Sequence, residues 1–192
     1  AHKAGIVIAD RVLTGDLNIP RESILPLLEE IVLGGRIKLD PSRNNFPVTL
    51  HDPCNMVRLM GIVKPQRRIL EKICPQFREM TPHGVENYCC GGGSGFAIMS
   101  GYNFEAWRNL VSSRKKFQQI LTAFQGAPQD VPRYVCAPCS NCKGAIRDLI
   151  RFYHAEERSR LYYGGLVDLI VNAMTNTKKP IICFGDEPSW KL

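Results

Sequence analysis

Apolar residues first recur at helical spacing between Ser23 and Val32, at Ile24, Leu27, Leu28 and Ile31, which predicts a helix that tolerates Pro26 in its first turn. The turn-rich run DPSRNNFP follows, and then Val48, Thr49 and Leu50 form a short β-type segment that ends at His51-Asp52-Pro53-Cys54. The stretch from Pro65 to Ile73 reads as a helix, and Phe77 to Met80 as a short strand. Tyr88 to Phe96 must be irregular, because its glycines at Gly91, Gly92, Gly93 and Gly95 are poor formers of either regular structure. From Phe104 to Phe124 the chain is a long amphipathic stretch, with Trp107, Leu110, Val111, Phe117, Ile120, Leu121 and Phe124 as its apolar positions; Trp107 and Phe117 are expected in the core. Gly126 to Pro132 breaks the pattern. Tyr134 to Cys136 then reads as a strand, Asn141 to Tyr153 and Leu166 to Met174 as helices, and Ile181 to Phe184 as a last short strand.

Alternating short strands and helices predict an α/β domain, a short parallel-type sheet flanked by helices. No internal repeat and no long linker interrupts it, so residues 1–192 are expected to form one domain. The opening AHKAGIVIAD has neither an initiator Met nor a basic-then-apolar leader, and reads as the continuation of a longer protein whose C-terminal part this is.

Composition narrows the class. Hydrophobic residues are 44% and charged residues 22%, a globular rather than a disordered balance. No apolar run approaches the roughly 18 residues that a membrane span needs. The net charge of +7 suggests an anionic partner, yet the Lys and Arg residues are scattered and form no basic block with interleaved aromatics, which argues against nucleic acid. Metal-bound thiolates would add negative charge that the scattered cations offset.

The thiols carry the chemistry. Eight cysteines could form disulfides, but they cluster tightly, and neighbours such as Cys89 and Cys90 rarely bond to each other. Three groups stand out: Cys54 after a predicted strand, the Cys89-Cys90 pair before the glycines, and Cys136, Cys139 and Cys142 before a helix. Strand ends in an α/β sheet share one edge, so the three groups are expected to converge there. Soft thiolates select iron–sulfur clusters, zinc or Cu(I). A structural zinc site usually draws on two C-x-x-C-like pairs, whereas an adjacent pair suits a larger object touched at two metal atoms. Gly91, Gly92 and Gly93, without Cβ atoms, would let the backbone approach inorganic sulfur and donate N–H bonds to it. The run C-x2-C-x2-C also opens a ferredoxin motif, but the position of that motif's fourth cysteine holds Ile146.

HDPCN, NYCCGGGSGFAIMSG, RKKFQQIL, CAPCSNCKGAIRD and YGGLVDLIVNAM, in this order, resemble the cysteine-rich (CCG) domain found in the B-type subunits of the heterodisulfide reductase family, closest to the DsrK and HmcF type of subunits in membrane redox complexes. The resemblance runs from about Thr49 to Met174. It implies a non-cubane 4Fe-4S cluster on Cys54, Cys89, Cys90, Cys139 and Cys142, and an oxidoreductase that passes electrons to or from a disulfide or trisulfide. It further implies a cytoplasmic location at the inner face of the membrane, partner subunits of a membrane-associated complex, and a small DsrC-like sulfur carrier protein as a possible substrate. A plain electron relay and a zinc-stabilised interaction module are the alternatives.

Cys136 has no counterpart among those five positions. It is a sixth, exchangeable ligand, a catalytic redox thiol, or a small buried residue beside the site, and the sequence leaves the three open. His51 is read either as a hydrogen-bond donor to a cluster or as a structural histidine beside Asp52. His83 is a candidate for the substrate approach and Lys143 for charge compensation, while Cys74 and Cys183 are expected to be ordinary buried thiols.

Overall fold

The structure is a computed structural model that describes residues 22–93 and 105–184. Four short strands, β1 (Val48–Leu50), β2 (Phe77–Arg78), β3 (Arg133–Cys136) and β4 (Leu161–Gly164), form one sheet in the order β2-β1-β3-β4, with every pairing parallel. The α/β expectation holds. Parallel neighbours require crossovers, and helices supply them: α1 (Ile24–Leu33) precedes the sheet, α2 (Cys54–Val57), α3 (Pro65–Ile73), α4 (Glu105–Trp107), α5 (Arg114–Ala123), α6 (Ser140–Phe152) and α7 (Ala155–Ser159) lie between its strands, and α8 (Leu166–Ala173) follows it.

Local chemistry sets the helix ends. The Ser23 hydroxyl accepts the Leu25 N–H at 3.3 Å and caps α1. Pro65 starts α3, where its missing N–H costs nothing. The Asp168 carboxylate accepts the Gly165 N–H at 2.7 Å and fixes the start of α8.

Side chains alternate across each strand, so the sheet has two cores. On one face Val48, Leu50, Tyr134 and Cys136 pack against Leu25 and Val32 of α1, Ile69, Leu70 and Ile73 of α3, and Leu166, Leu169 and Ile170 of α8. On the other, Val135 and Ala137 pack with Ile120 of α5 and Ala145, Ile146 and Ile150 of α6. The chain leaves β1 toward the first face and β3 toward the second. The strand order therefore reverses between these two neighbours, and a crevice opens beyond their carboxyl ends, where such sheets bind ligands.

Several sequence expectations need correction. Ile181–Phe184 is not a strand; it runs along the first core, with Ile182 and Phe184 turned inward, the Phe184 ring 4.8 Å from that of Phe46, and Cys183 left exposed between them. Cys183 is thus not a buried thiol. The 104–124 stretch is not one helix: residues Arg108–Ser112 form a π-helical segment between α4 and α5. Trp107 is 53% exposed, and Leu110 and Val111 are exposed too, because this half of the stretch turns Arg108, Asn109, Ser113 and Lys116 inward instead. Pattern reading also passed over α7 and β4, which follow left-handed turns at His154 and Arg160. The strand expected over Phe77–Met80 ends at Arg78. Residues 94–96 of the glycine loop lie outside the described residues.

Candidate metal centre

The crevice is lined by the segments that follow β1 and β3. β1 runs into His51, Asp52, Pro53 and Cys54, and β3 into Ala137, Pro138 and Cys139, the residue that caps α6. The loop carrying Cys89 and Cys90 completes it. The Cys90 and Cys142 sulfurs lie 3.3 Å apart. Cys89 and Cys90, although adjacent, differ in direction, since Cys89 is exposed and Cys90 buried. Cys54 is exposed and Cys139 half-buried at the mouth.

The thiols act on one another electrically. The contact with Cys142 holds Cys90 far below the ordinary thiol range, with Cys89 adding to it. Cys89 and Cys142 are pushed up in return; Cys89 answers first to its contact with Cys90, and Cys142 first to Cys139. Cys54 also presses on Cys89. Cys139 is lowered to about 6, first by Cys142 and then by the N–H groups of Cys142 and Asn141 at the start of α6. A helix N-terminus favours a thiolate in this way. Cys90 and Cys142 thus touch, Cys89 and Cys139 act on them directly, and Cys54 is linked to the group through its charge on Cys89.

Cys136 is not brought to them. It faces the opposite side of the sheet with Leu50 and Tyr134, fully buried, and burial pushes its thiol up, with Cys74 and Asp168 adding to the rise. Cys74 lies in the same core and is pushed up to about 12 by burial.

His51 joins the thiols. One of its ring nitrogens and the sulfurs of Cys90 and Cys142 all lie within 4.8 Å of one another. His51 is 1% exposed, and its polar neighbours are the thiols: burial lowers its pKa and the contact with Cys90 works against that. Asp52 does not hold it. The Asp52 carboxylate receives Arg67 Nη1 at 2.8 Å and the Gly84 N–H at 2.6 Å. Burial works to raise the Asp52 pKa, but Arg67 outweighs it and the carboxyl stays below its usual range. A buried imidazole is costly unless something in the site receives it.

Gly91 has a left-handed φ of 81°. The surface that crowds it is the π segment: a Cβ there would meet Ser112 Oγ at 2.8 Å and collide with Ser113 Oγ. Ser113 in turn donates to the Cys90 carbonyl at 2.7 Å. Gly92 is buried and Gly93 is exposed, with φ 51°. His83 is exposed ahead of the Gly84–Glu86 turn, and Lys143 is half-buried in the first turn of α6.

Sequence reading missed a second layer. Lys116 is fully buried; it donates to Asn87 Oδ1 at 2.7 Å and to Gln119 Oε1, and its Nζ lies 3.7 Å from Met80 Sδ. Asn87 Nδ2 donates to the Asp52 carbonyl at 3.2 Å and Gln119 Nε2 to the Pro82 carbonyl at 2.6 Å. This network ties α5 to the cysteine loop and to the end of β1. The only sequence signal was a lysine on the inward side of an amphipathic stretch.

Fold and site together define a cysteine-rich α/β domain with a thiol centre at the strand ends. Residues 48–147, more than half of the chain, match the family model of the cysteine-rich domain CCG, and the chain belongs to that family. It is 36% identical over 170 residues to the Hdr-like menaquinol oxidoreductase iron-sulfur subunit 2 of Archaeoglobus fulgidus, an alignment covering 86% of this chain and 27% of that protein. It is 34% identical over 86 residues to the D-type subunit of the dihydromethanophenazine:CoB–CoM heterodisulfide reductase of Methanosarcina acetivorans, covering 44% of this chain and 21% of that one. A probable membrane-anchored ferredoxin of Chromohalobacter salexigens is 34% identical over 124 residues, covering 64% and 18%. The chain therefore spans about a quarter of the length of the Hdr-like relatives it matches. No solved structure matches it significantly. Among the described residues no helix is long and apolar enough to cross a membrane.

Proposed function

We propose that this chain is an iron–sulfur electron-transfer domain of an Hdr-like oxidoreductase, holding a non-cubane 4Fe-4S cluster on Cys54, Cys89, Cys90, Cys139 and Cys142. The observation that carries the reading is the contact of Cys90 with Cys142 across two separate segments, with Cys139 beside Cys142 and His51 of the β1 segment beside both. The donor set fits such a group: it is soft, and its adjacent pair divides between a buried and an exposed direction, which suits contact with two metal atoms. When bound, the cluster would supply one-electron chemistry at sulfur, for reducing or forming a disulfide or trisulfide bond.

The chain's own residues would do the rest. The Cys142 thiol, and after it the N–H groups at the start of α6, favour Cys139 as a thiolate for ligation. Ser113 fixes the backbone of Cys90. Gly91, Gly92 and Gly93 would let the loop backbone come close to the cluster, and Gly91 also makes room for Ser113. Cys136, on the far face, is left out of the ligand set. The relatives' names support a place in a multi-subunit, membrane-associated complex, to which this domain would bind peripherally on the cytoplasmic side, with a small DsrC-like sulfur carrier as one candidate substrate. Serine at each of the five ligand positions should lower bound iron, while Cys74→Ser should not; iron loss from Cys74→Ser equal to that from Cys90→Ser would sink the assignment.

One observation favours a second reading. His51, Cys90 and Cys142 are compact enough to hold a single ion such as zinc. Visible absorption separates the two, because zinc thiolates are colourless.

A further inference from the structure

Lys116 poses an electrostatic problem that its hydrogen bonds do not solve. An ammonium has three donors. Asn87 Oδ1, Gln119 Oε1 and the weakly accepting Met80 Sδ occupy them, and all three are neutral. Among the described residues no carboxylate pairs with it. The carboxylate of Asp52 is already engaged by Arg67 and the Gly84 N–H. Lys116 is nevertheless 0% exposed. A buried, uncompensated charge of this kind costs several kcal/mol or more. Such a lysine either sheds its proton or is met by negative charge beyond its hydrogen-bond partners.

The negative charges that reach it from beyond those partners belong to Asp52 and to the thiols, and Asp52 already answers to Arg67. Burial pulls the Lys116 pKa down to about 7, and the charges of Asp52, Cys90, Cys142 and Cys89 push it back up. Met80, which touches Nζ, belongs to the same core as Cys90, Cys142 and Ile120. The acceptors are also fixed in orientation: Asn87 and Gln119 each spend their amide N–H on a backbone carbonyl, Asp52 and Pro82 respectively, so their oxygens are held toward the lysine. The ammonium is positioned, not merely tolerated.

We propose that Lys116 is the built-in counter-charge of the thiol centre, a positioning residue that neutralises part of its negative load and raises its affinity for an electron. This rests on the reading of the site as an iron–sulfur centre. A fixed cation in a low-dielectric interior favours whichever state carries more negative charge, and reduction adds one.

The test is a spectroelectrochemical titration of the full chain, loaded anaerobically with iron and sulfide, for wild type, Lys116→Met and Lys116→Arg. Lys116→Met should hold the electron at least tenfold less tightly, a midpoint about 59 mV more negative for a one-electron couple. Lys116→Arg keeps the charge and should stay within threefold of wild type. Should Lys116→Met fail to fold or load, Asn87→Asp decides: a carboxylate placed against the ammonium cancels it, and the midpoint should move in the same direction. An unchanged midpoint in the neutral variant, or equal shifts in the Met and Arg variants, overturns the proposal, while the iron–sulfur reading stands. If the wild-type chain takes up no cluster, both fall, and iron analysis before the titration reports that separately.

Discussion

Gly91→Ala is the substitution whose consequence the structure fixes most tightly. The φ of 81° at this position puts an L-residue in the left-handed region, worth about 1–2 kcal/mol. The new methyl would also lie 2.8 Å from Ser112 Oγ and 3.0 Å from Ser113 Cβ, and would strike Ser113 Oγ. Overpacking of this kind costs about 1–3 kcal/mol. The two terms sum to about 2–5 kcal/mol. They separate in a double-mutant cycle with Ser113→Gly, measured by denaturant unfolding. Ser113→Gly alone loses the 2.7 Å bond to the Cys90 carbonyl, about 1 kcal/mol, and adds glycine's cost beside a helix. In that background Gly91→Ala should keep its backbone part and the contact with Ser112 Oγ but lose the collision with Ser113, so the coupling energy should reach about 1 kcal/mol or more. A coupling below about 0.5 kcal/mol would refute the claim that Ser113 is what Gly91 makes room for.

Arg67→Met should destabilise the chain by about 3–5 kcal/mol, because it strands the Asp52 carboxylate, whose side chain is wholly buried. The sign with pH follows from the lowered Asp52 pKa: the pair's contribution is complete above about pH 4 and fades as the pH falls through the still lower folded-state value, so urea midpoints of wild type and variant should converge in acid. Iodoacetamide at pH 8 should label the exposed Cys183 of the native chain but not Cys74 or Cys136, whose thiols burial pushes up; mass spectrometry showing early modification of Cys136 would contradict its place in the core. Cys136→Ser should retain wild-type iron content, and a loss as large as that of Cys139→Ser would make it a ligand.

The sheet and the location of the site were legible because they rest on short-range signals. Val48–Leu50 ends at His-Asp-Pro, the helix from Pro65 to Ile73 opens on proline and repeats at helical spacing, and Cys54 and the Cys136–Cys142 group sit at the ends of strands. Strand alternation also separates Cys136 from Val135, and hence from the face that carries Cys142, although reading this required knowing that Cys136 was still within the strand. The polar shell was hidden for a physical reason. Hydrophobic pattern assigns polar residues to water, but Ser113 and Lys116 turn inward to the Cys90 carbonyl and to Asn87 Oδ1, and Asn109 is buried beside Arg108. Their inward turn expels Trp107, Leu110 and Val111, which by pattern alone belong to the core. Gln119 lies one helical turn from Lys116, but Asn87 is 29 residues away and nothing local links it to either.

The central claim is that the converging thiols hold an iron–sulfur cluster. The most direct measurement is iron, acid-labile sulfide and visible absorption on the anaerobically loaded chain, beside Cys89→Ser and Cys90→Ser. The account predicts a coloured protein with about four irons and four sulfides per chain, and loss of both in the two variants. A colourless wild type that binds one zinc through His51, Cys90 and Cys142, and ignores Cys89→Ser, would contradict it.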